Sequence, residues 1–262
     1  AAKEARYREN LLTRFIFWEH PLFTELRSED RIINLNLPDL FPPSKDGQNV
    51  NIEGGDMMII HQDYLLIGAS ERSNDHAFQS LKKVLFEKGV VQNMVQVHIP
   101  NDRAFMHIDT LFTQVDEHLF VGYKPIINEG RSSFVTVYNI SGEKRIYPTL
   151  ESFILAEIDS EMKFVYAGSG ESPDQDREQW TDACNLLTIK PGVAVAYDRN
   201  EKTAEDFEKL GYAIVDAESY LKESSHIDPS TIHKTIFTLK SAELSRARGG
   251  SHCMSCPIQR IS

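Results

Sequence analysis

Short apolar runs alternate with helical patterns along much of this chain. Met57–His61 and Tyr64–Ser70 are short, apolar and separated by two polar residues, which predicts two strands joined by a tight turn. Apolar residues then recur at helical spacing over Asp75–Lys88, with Asn74 or the first residue of that range as the N-cap and Gly89 as the stop. Alternation of this kind places helices over the faces of sheets, so the predicted fold class is α/β.

The same pattern assigns much of the remaining chain to short elements. The further predicted strands are Val95–Ile99, Phe105–Asp109, Thr110–Gln114, Leu119–Tyr123, Phe164–Ala167, Val193–Tyr197 and Ala213–Val215, and the further predicted helices are Leu150–Ile158 and Thr203–Leu210. Leu37–Asn49 and Gly168–Asp176 are rich in turn-forming residues and predict exposed loops. Neither shows the change in composition that marks a domain boundary, so residues 1–262 are predicted to form one domain.

The composition is that of a globular protein, and it narrows the range of partners. The 262 residues carry 28 Lys and Arg against 39 Asp and Glu, a formal net charge of -11 that repels nucleic acid and anionic membrane surfaces. We therefore expect neither as a partner, and no apolar run of about 18 residues predicts a membrane span. Three cysteines in a chain of this size favour reduced thiols and a cytoplasmic location.

His107 and Asp109 are two residues apart in the alternating segment Phe105–Asp109. On a strand, that spacing places both side chains on one face and Met106 and Ile108 on the other. An imidazole and a carboxylate beside an apolar face are costly unless they are solvated, paired or used in chemistry. A salt-bridged pair at an exposed strand edge remains the alternative.

Glu53 and Asp56 flank the paired glycines Gly54 and Gly55, directly ahead of the first predicted strand. Glycines permit a tight approach and a positive φ, so such a turn can aim its two carboxylates. By itself, the pattern is more often that of a plain turn.

Cys253 follows a Gly-Gly pair, is next to His252 and is three residues before Cys256. The glycines let the backbone come close to a ligand, which a reactive thiolate requires. A Cys-x-x-Cys redox motif is one alternative, although only six residues remain after Cys256. A metal site is another, although Cys184 is the only other cysteine.

Taken together and in this order, four motifs resemble those of the arginine deiminase branch of the guanidino-group-modifying enzymes. They are Glu53-Gly54-Gly55-Asp56, Gly68-x-x-Glu71-Arg72, His107-x-Asp109-Thr110-x-Phe112-Thr113 and Arg248-Gly249-Gly250-Ser251-His252-Cys253, with supporting patches at Asn185-Leu186-Leu187, Pro191-Gly192 and Tyr197–Asn200. The match extends from Arg6 to Arg260. The fold that the resemblance implies is the pentein, an α/β propeller of five ββαβ-type modules with pseudo-fivefold symmetry and the active site in its central channel.

The resemblance also implies a reaction, the hydrolysis of the guanidino group of arginine to citrulline and ammonia without a metal or a cofactor. Cys253 would attack the guanidino carbon and form a covalent thiouronium intermediate. His107 would protonate the departing ammonia and then activate water, and Glu53 would hold His107 in its working tautomer. His252 would support the cysteine loop, and Cys256 would be structural.

Four further residues would bind the substrate. Asp109 would grip two guanidino N–H groups in bidentate fashion. Arg72, Arg248 and Arg6 match arginines that bind the α-carboxylate of arginine in the family, for which forked donors are suited. Retention of Arg72 and Arg248 favours an α-amino acid over agmatine, because a ligand without a carboxylate would leave those cations unpaired.

The chain departs from the family pattern in two places. The family's Arg-Asp pair, whose aspartate is a second guanidinium clamp, lies upstream of the segment at Arg6, so the N-terminal module or modules are expected to be lacking in this numbering. Asp30 precedes an arginine in the reverse order and too late in the chain, and it is not assigned that role. Glu223–Ser241, which contains His226 and His233, is longer than usual and is expected to reshape the pocket mouth.

Two other functions remain open at this point. One is an amidinotransferase or a deiminase that acts on another guanidine, such as agmatine or a methylarginine. The other is a non-catalytic pentein that binds a ligand or a partner. The expected partner is a small guanidino molecule, and the oligomeric state, a homo-oligomer included, stays open.

Overall fold

The computed structural model describes residues 6–223, 228–242 and 244–256. The α-helices are α1 (Tyr7–Glu19), α2 (Thr24–Ser28), α3 (Asp75–Glu87), α4 (Lys124–Ile127), α5 (Leu150–Phe153), α6 (Asp174–Trp180), α7 (Glu201–Lys209) and α8 (Ala217–Glu223). The strands are β1 (Met57–His61), β2 (Tyr64–Ala69), β3 (Asn93–His98), β4 (Phe112–Asp116), β5 (Leu119–Gly122), β6 (Phe134–Asn139), β7 (Lys144–Tyr147), β8 (Lys163–Tyr166), β9 (Leu187–Lys190), β10 (Val193–Tyr197), β11 (Ala213–Asp216) and β12 (Thr235–Leu239). Within these residues, no helix is long and apolar enough to cross a membrane.

One arrangement of strands recurs in three sheets. In the first sheet, β1 pairs antiparallel with β2, and β3 returns parallel to β2 after α3. In the second, β4 and β5 are antiparallel and β8 is parallel to β5, and in the third, β9 and β10 are antiparallel and β12 is parallel to β10. A parallel return requires a crossover. The second crossover contains α4 and α5 with β6 and β7 between them, and the third contains α7 and α8 with β11 between them. The described chain therefore contains three ββαβ units.

The first strand of each unit lies at the edge of its sheet. The strand orders are β1-β2-β3-β6-β7, β4-β5-β8 and β11-β12-β10-β9, so β6 and β7 extend the first sheet and β11 extends the third. Residues of β1, β4 and β9 together line a cavity of about 720 Å³. The first strand of each ββαβ unit thus faces the same cavity.

Buried side chains from all three sheets form one continuous apolar core. Leu66 of the first sheet, Phe120 of the second and Ala194 of the third belong to it, and all are 0% exposed. Phe112 stacks on Phe120 with ring centroids 4.4 Å apart. A separate cluster fills the space under α3, where Phe78, Leu81 and Leu85 pack against β2 and β3.

The α/β class and several predicted elements are confirmed. The hairpin β1–β2 lies at its predicted position, and α3 begins after Asn74, whose side chain accepts a hydrogen bond from the Ala77 N–H at 2.9 Å. Leu37–Asn49 contains no helix or strand, as expected. The five-module propeller stays a prediction.

The predicted strand at Phe105–Asp109 is wrong. That segment contains the end of a 3₁₀ turn, Arg103–Phe105, and the start of a second, Ile108–Thr110. The Ile108 N–H donates to Oδ1 of Asp56 at 3.0 Å, so a side chain takes the place of a neighbouring strand.

Two other segments differ in part from the prediction. Leu150–Ile158 is helical, but α5 changes to a π-helical turn at Ile154. The exposed loop predicted at Gly168–Asp176 is partly helical, because α6 begins at Asp174, and Gly168 is buried with its N–H bonded to Oγ1 of Thr203.

Several elements had no clear signal in the sequence, namely α1, α6, β6, β7, β9 and β12. In the long stretch at Glu223–Ser241, His226 lies outside the described residues and His233 is exposed. The described part of that stretch contains β12, which pairs with β10 and β11.

Candidate active site

The turn before β1 places the Glu53 carboxylate. Glu53 has an extended backbone and is followed by the 3₁₀ turn Gly54–Asp56, which leads directly into the strand. Its N–H donates to Oγ of Ser73 at 3.1 Å, which fixes the turn to the loop after β2.

Asp56, at the end of the same turn, is fully buried and ties three segments together. Its Oδ2 accepts hydrogen bonds from Ser70 Oγ and Ser73 Oγ, both at 2.6 Å, and its Oδ1 accepts from the Ile108 N–H. Burial raises the pKa of Asp56 to about 6, although the positive charge of His107 and these hydrogen bonds oppose the rise. The turn at Glu53 is therefore fixed directly to the turn that carries His107.

Glu53 lies beside three basic side chains and accepts hydrogen bonds from two of them. Its Oε2 lies 2.9 Å from His107 Nε2 and 2.6 Å from Arg6 Nη1, and its Oε1 lies 3.9 Å from Arg72 Nη1. Burial alone would raise the pKa of Glu53, but the hydrogen bond with His107 and the three positive charges lower it to about 2. Glu53 is therefore ionised throughout the physiological range.

His107 is buried beside this carboxylate. Burial by itself would lower its pKa, but the hydrogen bond with Glu53 and the negative charges of Asp56, Asp109 and Glu53 raise it above the ordinary value. Because Glu53 is ionised, Nε2 must be the donor, which leaves Nδ1 for proton exchange. A Cβ at Gly55 would lie 2.8 Å from this Nδ1 and 2.9 Å from Oδ2 of Asp109, so both groups face the same glycine.

Asp109 connects the histidine turn to the cysteine loop. It is 1% exposed, and its Oδ2 lies 3.0 Å from His252 Nδ1 and 3.7 Å from Cys253 Sγ. Its Oδ1 is buried and accepts no hydrogen bond from the residues that the structure describes. Oδ2 of Asp109 is therefore oriented by the cysteine loop, whereas Oδ1 is available to a hydrogen-bond donor.

Cys253 lies in the short 3₁₀ turn His252–Met254, and its N–H donates to Oδ1 of Asn185 at 3.2 Å. Desolvation of the thiol and the negative charge of Asp109 raise its pKa to about 12. The thiol is consequently neutral in the protein alone. Cys256, expected to be structural, is exposed and lines the cavity that β1, β4 and β9 form.

The three predicted carboxylate-binding arginines have different surroundings. Arg72 is mostly buried and reaches Glu71 through Nε at 2.8 Å, while its Nη1 makes no hydrogen bond within the described chain. Arg6, at the start of α1, has a side chain that is 38% exposed and bonds both Glu9 and Glu53.

Arg248 binds backbone carbonyls. Its Nη2 donates to the Ala104 carbonyl at 2.6 Å, and its Nη1 donates to that of Trp180 at 2.7 Å and to that of Gln179 at 3.3 Å. The guanidinium also lies 4.6 Å from the centre of the Trp180 ring. In this arrangement Arg248 attaches the cysteine loop to α6, and its role as a carboxylate ligand stays a prediction.

Sequence reasoning assigned no role at the site to three residues that the structure places there. Gly55 contacts the His107–Asp109 pair, Asp182 accepts the Gly249 N–H at 3.1 Å, and Asn185 contacts Cys253. Asn185 was visible only as part of a supporting motif, without a role. The described residues contain no group of three or more His, Cys, Asp or Glu side chains that could hold a metal ion.

Comparison with known proteins agrees with the motif order. The family model described as arginine deiminase matches residues 1–260. The structure is similar to that of an inosamine-phosphate amidinotransferase from Streptomyces griseus, with a TM-score of 0.50 and 14% identity over 95% of this chain and 62% of that one. It is also similar to a mutant DDAH from Pseudomonas aeruginosa complexed with citrulline, with a TM-score of 0.46 and 14% identity over 88% of this chain and 66% of that one.

These figures set what each similarity supports. The similarity to the inosamine-phosphate amidinotransferase bears on the fold alone, because only 14% of the residues are identical. The chain spans less than two thirds of the length of both solved proteins. The family match extends over almost the whole sequence, and this chain therefore belongs to the arginine deiminase family.

Proposed function

We propose that this chain hydrolyses the guanidino group of arginine to citrulline and ammonia through a covalent thiouronium intermediate on Cys253. The observation that carries the proposal is the cluster in which Glu53 bonds His107 at 2.9 Å while Asp109 lies 3.7 Å from the Cys253 thiol. Membership of the arginine deiminase family supports the same chemistry.

The charges of the cluster suit a planar cation. Asp109 and Asp182 each present a buried carboxylate oxygen that accepts no hydrogen bond from the described residues. Asp109 faces the thiol, and a carboxylate there can accept two parallel N–H bonds from a guanidinium. Binding between Asp109 and Cys253 would direct the guanidino carbon toward sulfur.

The same cation would activate the nucleophile. The pKa of Cys253 is raised to about 12 by desolvation and by the charge of Asp109, so little thiolate exists before substrate binds. A bound guanidinium offsets that negative charge, which favours the thiolate. Activation of Cys253 would therefore require a cationic substrate.

The first half of the reaction forms the intermediate. The Cys253 thiolate adds to the guanidino carbon, and the C–N bond to the terminal nitrogen breaks as that nitrogen takes a proton from His107. Ammonia leaves, and the carbon stays bound to sulfur as the thiouronium. The raised pKa of His107 supports its protonation at the start of this step.

The second half releases the product. His107 Nδ1, now neutral, removes a proton from a water molecule that attacks the same carbon. The hydroxyl proton of the resulting tetrahedral intermediate leaves to solvent as the C–S bond breaks, so that neutral citrulline departs and Cys253 is regenerated as the thiolate. Throughout, the ionised Glu53 accepts the Nε2 proton and keeps Nδ1 as the exchanging nitrogen.

Arg72 is the best placed of the three arginines for the α-carboxylate of the substrate. Its Nη1 is buried, lies near Glu53 and makes no hydrogen bond within the described residues. Arg6 already shares Glu53 and would contribute from the more exposed side. Arg248 would have to exchange a backbone carbonyl for the carboxylate.

The fold that goes with this function is the five-module pentein propeller. Three ββαβ units, each with its first strand facing a common cavity, support it. The propeller and the activity are proposals for the whole protein, since this chain spans less than two thirds of the solved proteins it resembles.

The proposal is tested by incubating the purified protein with arginine and measuring citrulline. Turnover is expected in the wild type and in Cys256→Ala, because Cys256 is a neighbouring exposed thiol outside the mechanism. It is expected to vanish in Cys253→Ala. Acid quenching during turnover should leave a covalent adduct on the peptide that contains Cys253.

Other outcomes distinguish the alternatives. Absence of citrulline at every pH between about 5 and 9 would contradict the proposal. Faster turnover of agmatine or a methylarginine than of arginine would reassign the substrate, and formation of a new guanidine from an added amine would indicate an amidinotransferase. A binding protein without activity would keep its ligand affinity after alkylation of Cys253.

A further inference from the structure

The Asn185 side chain lies between the two residues that flank the proposed guanidinium position. Its Oδ1 accepts the backbone N–H of Cys253 at 3.2 Å, and its Nδ2 donates to the backbone carbonyl of Asp109 at 3.1 Å. Asn185 is 1% exposed, so its side chain is shielded from bulk water. A single amide thus joins the main chains of the nucleophile and the carboxylate.

The loop that carries Cys253 packs tightly on this amide. A Cβ at Gly250 would lie 2.5 Å from both the carbonyl oxygen and Oδ1 of Asn185. Ser251 Oγ accepts the Leu187 N–H at 3.1 Å and donates to the Val195 carbonyl at 2.6 Å. The loop is therefore also fixed at Ser251, between the two residues that contact Asn185.

We infer that Asn185 is a positioning residue, which sets the placement of the Cys253 thiol relative to the Asp109 carboxylate. The inference rests on the proposed function for the role of Cys253 as nucleophile. A carboxamide suits this place because it supplies an acceptor and a donor at once. Desolvation of the thiol and the charge of Asp109 raise the pKa of Cys253, and the Asn185 side chain opposes that rise.

The first test needs no substrate. In a Cys256→Ser background, the second-order rate of Cys253 alkylation by iodoacetamide is measured between pH 7 and 10 by mass spectrometry of the Cys253 peptide. Asn185→Ala is expected to slow alkylation at least fivefold across this range, since the thiolate loses a stabilising group. Asn185→Asp keeps the size of the side chain and adds a negative charge near sulfur, so it should slow alkylation as well.

Asn200→Ala is the matched control. Asn200 is also buried and also makes two side-chain hydrogen bonds, but both go to Thr181, and neither reaches Cys253 or Asp109. Its alkylation rate should stay within about twofold of the wild type. An unchanged rate in both Asn185 variants, or an equal loss in Asn200→Ala, would overturn the inference.

The second test uses the reaction. Asn185→Ala should lower kcat for arginine by about 10²-fold while KM changes less than threefold, because the Cys253 N–H loses its acceptor whereas the Asp109 carboxylate keeps its contact with His252. A rise in KM with unchanged kcat would contradict a positioning role. If the wild type turns over no guanidine, the proposed function fails, but the alkylation rates still decide whether Asn185 controls the thiol.

Discussion

His107 and Glu53, 54 residues apart in the sequence, are joined by a 2.9 Å hydrogen bond between Nε2 and Oε2. The Asp56 side chain, three residues after Glu53, also accepts the Ile108 N–H next to His107. One short turn thus provides both the partner of the histidine and the anchor of its backbone.

Glu53→Gln is expected to lower the pKa of His107, since the hydrogen bond with Glu53 and its negative charge help to raise it. In the proposed reaction, the high-pH limb of kcat/KM, where His107 loses its proton, should move to lower pH, and kcat should fall about 10²-fold. Asp159→Asn is the control, because it removes the carboxylate partner of the exposed His118. A limb that stays in place in Glu53→Gln would contradict the role assigned to Glu53.

Gly55→Ala should cost far more activity than Gly54→Ala. A Cβ at Gly55 would come within 2.9 Å of both His107 and Asp109, whereas a Cβ at Gly54 meets no atom within 4 Å. We expect a fall of about 10²-fold in kcat/KM for Gly55→Ala, because the His107 and Asp109 side chains must both move away from the added methyl group. Equal activity of the two variants would show that this contact is unimportant.

Asp56 should make folding stability depend on pH in the acid range. Its pKa is about 6 in the folded protein, against an ordinary value of 3.8. As the pH rises, the carboxyl group therefore loses its proton in the unfolded chain before it does so in the folded protein. The stabilising contribution of the protonated carboxyl group is complete below about pH 4 and is lost as the pH rises to about 6. Asp56→Asn removes this dependence. The free energy of unfolding of the wild type, relative to the variant, should fall by about 3 kcal/mol over that range.

Urea unfolding of both proteins at several pH values measures the effect of Asp56. Below about pH 4 and above about pH 6 the difference between wild type and variant should be constant. A difference that increases with pH across the interval would mean that the Ser70, Ser73 and Ile108 donors keep Asp56 ionised in the folded state.

Arg248→Met should destabilise the protein by about 2 kcal/mol, since it removes charge-assisted bonds to three carbonyls and a contact with the Trp180 ring. Arg131→Met, at a residue with a largely exposed side chain, should change stability by less than about 0.5 kcal/mol. Denaturant unfolding compares the two. An unchanged stability together with a raised KM for arginine would instead assign Arg248 to the substrate.

Local patterns in the sequence determined much of the secondary structure. The apolar runs of β1 and β2, the spacing and Asn74 cap of α3, and the Pro-rich loop at Leu37–Asn49 are all encoded within a few residues, so periodicity and capping suffice to place them. The order of the motifs, through its resemblance to the arginine deiminase family, also predicted roles for Glu53 and the other candidate site residues.

Tertiary contacts decided how those residues are arranged. The alternation at His107 and Asp109 predicted a strand, but the distant Asp56 side chain takes the Ile108 N–H and the segment forms a 3₁₀ turn. The carbonyls bound by Arg248 and the Asn185 bridge between Cys253 and Asp109 likewise join segments far apart in the chain. No local pattern can encode such partners, since a hydrogen bond depends on where the packed sheets bring each donor and acceptor.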